Sequence, residues 1–313
     1  MNPLIHIGYH KTGTTWLQRF LFDNPDAGFW GAFKRDKKSL ELLVYTNSLD
    51  FDANECKRYF YQLIRNAIAI SLVPVLSQER LSGSPHSGGY DSKEIANRLA
   101  GVFPEGKVLI VIREQTSMIL STYSQYVNKG GPCPLTNYLQ RPSQGRGKAP
   151  LFNFDHFKYH RLIGYYINLF GKANVLVLPF ELLKDKPQDF VSQIVGFSGV
   201  KPESKTIENL PFSSKLNKQL SPFEIFAKRR SNYLVNREKT LNPGVIFSSR
   251  CFDQLLRRCL ERVDAVMPGS VQAALDKRLK ATISEMVGNR YKESNNCTAE
   301  MLKLDLGKYG YDV

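Results

Sequence analysis

The chain has 313 residues, of which 42% are hydrophobic and 23% charged, and its formal net charge is +14. That composition excludes a disordered polymer, and no apolar run approaches the roughly 18–20 residues that a membrane-spanning helix requires. The positive excess points to anionic partners, while five cysteines, odd in number and without Cys-x-x-Cys spacing, argue against a disulfide framework or a zinc site.

In chain order, Pro3-Leu4-Ile5-His6-Ile7-Gly8 lacks the basic start and long apolar stretch of an export signal, so a cytoplasmic protein is expected. Its run from Leu4 to Ile7 reads as a first buried strand. Further apolar runs bounded by turn residues lie at Val73 to Leu76, Val108 to Ile112 and Val175 to Leu178. Helical patterns are expected over Thr14 to Phe22, Cys56 to Ile70, Thr116 to Val127, Phe157 to Phe170 and Lys186 to Phe197. Strands alternating with helices predict an α/β fold, a parallel sheet covered on both faces, with a helical C-terminal portion. Two stretches rich in Gly, Pro and Ser, Ser82 to Ser92 and Gly130 to Pro150, read as mobile loops or lids. From Val200 to Leu220 the chain reads as an extended connection.

Between Lys215 and Arg262 eleven Lys or Arg face four acids, half of the whole excess. Solvated helix faces, an anionic substrate, a membrane surface and nucleic acid are all compatible with that run.

In parallel sheets ligands bind beyond the carboxyl ends of the strands. The first strand ends in Gly8-Tyr9-His10-Lys11-Thr12-Gly13-Thr14-Thr15-Trp16 and leads into a helix. Amide groups at a helix start, a Lys and nearby hydroxyls suit an anion. A nucleoside triphosphatase would place Lys directly after the second Gly and an Asp at a later strand end. Here Thr14 follows Gly13, and the strand Val108 to Ile112 ends in Arg113.

His10-Lys11-Thr12-Gly13-Thr14-Thr15-Trp16-Leu17 resembles the 5'-phosphosulfate loop of the sulfotransferase family, whose donor is PAPS (3'-phosphoadenosine 5'-phosphosulfate). Arg113 followed eight residues later by Ser121 resembles the family's 3'-phosphate signature. Val175 to Glu181, continuing to Gly196-Phe197-Ser198-Gly199-Val200, resembles a third family segment, and residues 289–311 resemble the tail of bacterial members. The resemblance implies a P-loop-like sheet flanked by helices and one domain over residues 1–313. Residues 1–200 would form its PAPS-binding core and residues 201–313 a helical part that includes an acceptor region. It implies donor binding by Lys11, Thr12, Gly13, Thr14, Thr15, Trp16, Arg113 and Ser121, with Lys215 and Lys218 as further candidates, and PAP (3'-phosphoadenosine 5'-phosphate) as product. Trp16 either packs behind the loop or contacts adenine.

Lys11 and Glu79 are the catalytic candidates. Glu79 follows the strand Val73 to Leu76 and is the expected general base; a surface pair with Arg80 is the alternative reading, and His86 the alternative base. Glu181 is expected to be structural, accepting from backbone or Arg donors. His6 reads as a packed strand residue and His10 as a loop-lining one. His156 and His160, four apart, could share a helix face, and read as core or acceptor-groove residues rather than a metal pair. No metal is implied. The base type and the basic surface favour a carbohydrate or glycolipid acceptor in a bacterial setting, with peripheral membrane contact and no specific nucleic acid. The rival readings are an ATP- and magnesium-dependent phosphotransferase and a non-enzymatic polyanion binder.

Overall fold

The computed structural model describes residues 2–31, 37–140, 151–214, 219–233 and 250–313, the side chains of residues 250–253 and 257 excepted. Its strands are β1 (Leu4–His6), β2 (Phe29–Trp30), β3 (Val73–Ser77), β4 (Lys107–Ile112) and β5 (Val175–Pro179). All pair in parallel, in the order β2-β3-β1-β4-β5. The four apolar runs of the sequence are β1, β3, β4 and β5. They are continuous rather than alternating because both sheet faces are covered, and from Val108 to Ile112 every side chain is 0% exposed.

From β1 the chain crosses to the edge strand β2, steps inward to β3 and then passes β1 to place β4 on its other side. The order therefore reverses beside β1, and the loop after β1 lies where an open parallel sheet offers its crevice.

Two compact units make up the chain. The first holds residues 1–114, 155–217 and 291–313 and contains the whole sheet; the second holds residues 115–154 and 218–290. In the first, one sheet face (Leu4, Val73, Val75, Leu109, Val111, Leu178) packs on Leu17, Leu21, Phe22, Phe190, Val191 and Ile194. Alternation turns Ile5, Val108 and Ile110 to the opposite face, and helix Tyr159–Phe170 packs against β4 and β5. Helix Ala53–Ala69 starts at Asp52, whose carboxylate accepts the Asn54 N–H at 2.7 Å.

In the second unit, helix Pro222–Ser231 opens on a capping box in which Ser221 and Glu224 exchange side-chain-to-backbone hydrogen bonds. Asn232, buried beyond its end, donates to Val127 O and Gly131 O at 2.8 and 3.0 Å. The unit's other long helices are Gln115–Asn128, Arg250–Ala265 and Gly269–Val287. Among the described residues no helix is long and apolar enough to cross a membrane.

The stretch Ser82 to Ser92, expected as a mobile loop or lid, is held by its own contacts. It lies in tight turns at Glu79–Ser82 and Pro85–Ser87, Arg80 pairs with Asp91, and Ser92 Oγ donates to Ser82 O and Gly89 O at 2.8 and 2.6 Å. Its Gly and Ser content serves close packing: a Cβ on Gly89 would lie 2.1 Å from His156 Nδ1. Residues 141–150 of the other expected loop, together with Lys215 and Lys218, lie outside the described residues.

Candidate active site

The loop between β1 and the helical segment that follows (Thr14–Trp16, continued as a π-turn over Leu17–Phe22) is held from several sides. Ile7 and Tyr9 extend the β1–β4 ladder by donating to Leu109 O and Val111 O. Thr12 Oγ1 donates back to Tyr9 O at 2.5 Å, closing the turn. Lys11 takes a left-handed backbone (φ 67°), uncommon for a residue with a side chain, and Gly13 has φ 82°. A Cβ at Gly13 would meet Leu183 Cδ2 at 2.9 Å and Phe180 Cε2 at 3.1 Å, so only glycine brings the backbone this close to the β5 turn.

No side chain caps the helix start at Gly13. Thr14 is 6% exposed and its Oγ1 has no hydrogen-bond partner, whereas Thr15 is exposed. An uncapped helix start with a buried hydroxyl beside it has donors left for an anionic ligand. Trp16 is largely buried. It stacks on Phe212 (5.4 Å between centroids) and gives its indole N–H to Pro211 O at 3.1 Å.

Arg113 follows β4 and turns toward this loop. Its Nη1 donates to Lys11 O at 3.1 Å, and its guanidinium lies 5.3 Å from the centroid of the Phe180 ring. Its Nε is buried without a hydrogen-bond partner. Burial pulls the guanidinium pKa downward, opposed chiefly by the carboxylate of Glu181. Lys184 Nζ sits 4.8 Å from the same ring, and its pKa is lowered by burial first and Arg113 second. The Lys11 carbonyl and the Phe180 ring thus steer the Arg113 fork, which suits planar, bidentate recognition of a phosphate. Lys184 is a cation the sequence reading missed; its signal was its position four residues after Phe180 on the turn that follows β5.

Glu181 accepts the Glu114 N–H at 3.1 Å and the Tyr311 hydroxyl at 3.2 Å, the structural role expected of it. Glu79 opens the turn after β3 with its side chain 40% exposed. Its Oε1 stands 3.2 Å from Nδ1 of His10, the residue before Lys11. That separation gives Coulomb attraction to a protonated ring but not hydrogen-bond alignment, and neither His10 ring nitrogen makes a hydrogen bond. Arg80, the sequence alternative as partner to Glu79, pairs with Asp91 instead.

The remaining histidines separate. His6 is wholly buried and hydrogen-bonded to Ser77 Oγ at 2.8 Å, as its strand position suggested. His156 packs on Tyr9, while His160 bonds to Ser294 Oγ at 2.7 Å, so the two do not converge. His86 lies part-buried in the turn Pro85–Ser87. Ser121 is 2% exposed on helix Gln115–Asn128 of the second unit.

The model of the sulfotransferase domain family matches residues 2–244. No curated protein matches the chain. Among solved structures, a sulfotransferase from Alicyclobacillus acidocaldarius is 18% identical, covering 74% of this chain and 94% of its own with a TM-score of 0.47. The sulfotransferase domain of the Synechococcus PCC 7002 olefin synthase is 13% identical over 85% and 96%, TM-score 0.40. Mouse sulfotransferase SULT7A1, complexed with PAP, is 14% identical over 90% and 89%, TM-score 0.39.

Proposed function

The chain belongs to the sulfotransferase family, and on that premise we propose that it moves the sulfuryl group of PAPS to a hydroxyl of a carbohydrate or glycolipid. The observation that carries the donor reading is the 3.1 Å hydrogen bond from Arg113 Nη1 to Lys11 O, which joins the two signature segments. The residues fit a phosphosulfate donor: the Thr14 hydroxyl and the Arg113 Nε are buried donors without a hydrogen-bond partner, beside a helix start that no side chain caps.

PAPS supplies an activated sulfuryl group on a phosphate leaving group. Lys11 stabilises the charge that develops on the leaving oxygen, an interaction stronger in the transition state than before it. Thr12 closes the loop, Gly13 permits its close approach, and Thr14, Thr15 and the helix start hold the 5' end. Trp16 backs the loop by packing on Phe212. Arg113 holds the 3'-phosphate; the part of Ser121 in it comes from the family signature. Glu79 removes the acceptor hydroxyl's proton as its oxygen attacks sulfur. Its partly exposed position leaves room for an acceptor, and the nearby His10 imidazole attracts the carboxylate when protonated. Residues 1–313 act as one sulfotransferase domain in this reading, with the acceptor region drawn from residues 201–313. A net charge of +14 favours an acceptor that is already acidic or lies on an anionic membrane surface.

The test is turnover of labelled PAPS with a hydroxyl acceptor identified by screening oligosaccharides and glycolipids. Glu79→Gln and Lys11→Ala each lower turnover by about two to four orders of magnitude. Near-normal turnover in Glu79→Gln would remove it as the base and pass the role to His86.

A further inference from the structure

We propose that the C-terminal segment positions the donor site: Tyr311, acting through Glu181, holds the Arg113–Glu114 peptide so that the Arg113 fork faces the 3'-phosphate. The inference rests on the donor reading above and adds to it two positioning residues, Glu181 and Tyr311.

One peptide group is clamped from both ends. Its carbonyl, that of Arg113, accepts the Tyr159 hydroxyl at 2.6 Å, and its N–H, that of Glu114, donates to Glu181 Oε1 at 3.1 Å. The other carboxylate oxygen, Oε2, accepts the Tyr311 hydroxyl at 3.2 Å. Fixing the plane of this peptide fixes the backbone from which the Arg113 side chain departs. Without the clamp, the first residues beyond β4 would be free to rotate away from Lys11 O.

The clamp is built from buried parts. Tyr159 is 0% exposed and Tyr311 4% exposed. Burial raises the Glu181 pKa, the loss of water outweighing the hydrogen bonds it accepts and the attraction of Lys184 and Arg113. A carboxylate in such a place needs a donor on each oxygen, and Glu114 N–H and Tyr311 OH supply them. The tail that carries Tyr311 is anchored independently: Leu306 is 0% exposed, and Asn295 Nδ2 donates to Asp312 O at 2.8 Å. Removing one hydroxyl therefore leaves the tail in place. Phe180, next to Glu181, carries the Arg113 guanidinium on its ring, so the turn after β5 sets both the backbone and the side chain of that arginine.

A general structural role would weaken every ligand alike, whereas a clamp on Arg113 acts only on the 3'-phosphate. The full chain and its Tyr311→Phe variant are titrated by calorimetry, without magnesium, with PAP and with adenosine 5'-monophosphate. The ratio of the two affinities isolates the contribution of the 3'-phosphate. We expect Tyr311→Phe to reduce that ratio by about 5- to 20-fold, the scale of one charge-assisted hydrogen bond, with monophosphate affinity unchanged. Tyr159→Phe, which loosens the same peptide from its carbonyl side, should act in the same direction and serves if Tyr311→Phe folds poorly. In an Arg113→Ala background, Tyr311→Phe should add nothing. An unchanged ratio in both tyrosine variants, or equal losses for the two ligands, overturns the clamp while leaving the donor reading intact. A wild-type chain that binds both ligands equally overturns the two together.

Discussion

His6 and His156 are both enclosed by apolar neighbours, and burial lowers the pKa of each to about 3. For His6 the attraction of Glu79 opposes the shift; for His156 the charges of His10 and Arg80 add to it. Both rings are neutral in the folded protein, while the unfolded chain takes up their protons near the ordinary histidine value of about 6.5. Their contribution to stability is therefore complete above about pH 6.5 and is lost as the pH falls toward 3, by about 2 kcal/mol each at pH 5. Urea midpoints at pH 7 and pH 5 should show a smaller drop for His6→Asn than for the wild type, and an equal drop would contradict a neutral buried His6. The structural role of His6 was legible because a histidine inside an apolar run has to be packed and paired. The approach of His10 to Glu79 was not: it depends on how the loops after β1 and β3 lie side by side, which neither loop encodes alone.

Among the elements, β1, β3, β4 and β5 showed in the sequence because strands buried on both faces leave apolar runs. β2 (Phe29–Trp30) did not, since two residues carry no period and, among the described residues, it pairs with β3 alone. Helix Ser92–Val102 was also passed over, although Ile95, Ala96, Leu99 and Val102 lie on one buried face. The stretch before it is rich in Gly and Ser, and the buried Arg98, paired with Glu94, interrupts the apolar pattern. In the second unit, the Ser221–Glu224 capping box satisfies donors that a bare helix start would leave open. Ser221→Ala should lower stability by about 1 kcal/mol, read as a shift in denaturant midpoint at constant slope. An unshifted midpoint would show that water replaces the cap at no cost.

For the molecule as a whole, the candidate site is assembled from four strand ends, β1, β3, β4 and β5, far apart in sequence and neighbours only through the parallel order of the sheet. Each signature could be read locally because loops that hold phosphate need particular residues at fixed spacing. The Arg113–Lys11 hydrogen bond, the Phe180 ring beneath Arg113 and the reach of Tyr311 to Glu181 could not, because they are products of tertiary packing. The cavity of about 700 Å³ along β5 and the C-terminal segment, lined by Lys172, Lys186, Lys303 and Lys308, includes none of the loop residues. The buried, unpartnered Thr14 Oγ1 and Arg113 Nε, rather than the cavity's size, mark the candidate site.

We propose that the loop after β1, together with Arg113, holds a 3',5'-bisphosphorylated adenylate rather than a magnesium nucleoside triphosphate. Calorimetric titration of the full chain with PAP in the absence of magnesium, beside ATP with magnesium, tests it directly. PAP should bind without metal, and Arg113→Ala should weaken that binding by at least about tenfold, the loss expected for one charge-assisted phosphate contact. Binding of ATP with magnesium alone, with none of PAP, would contradict it.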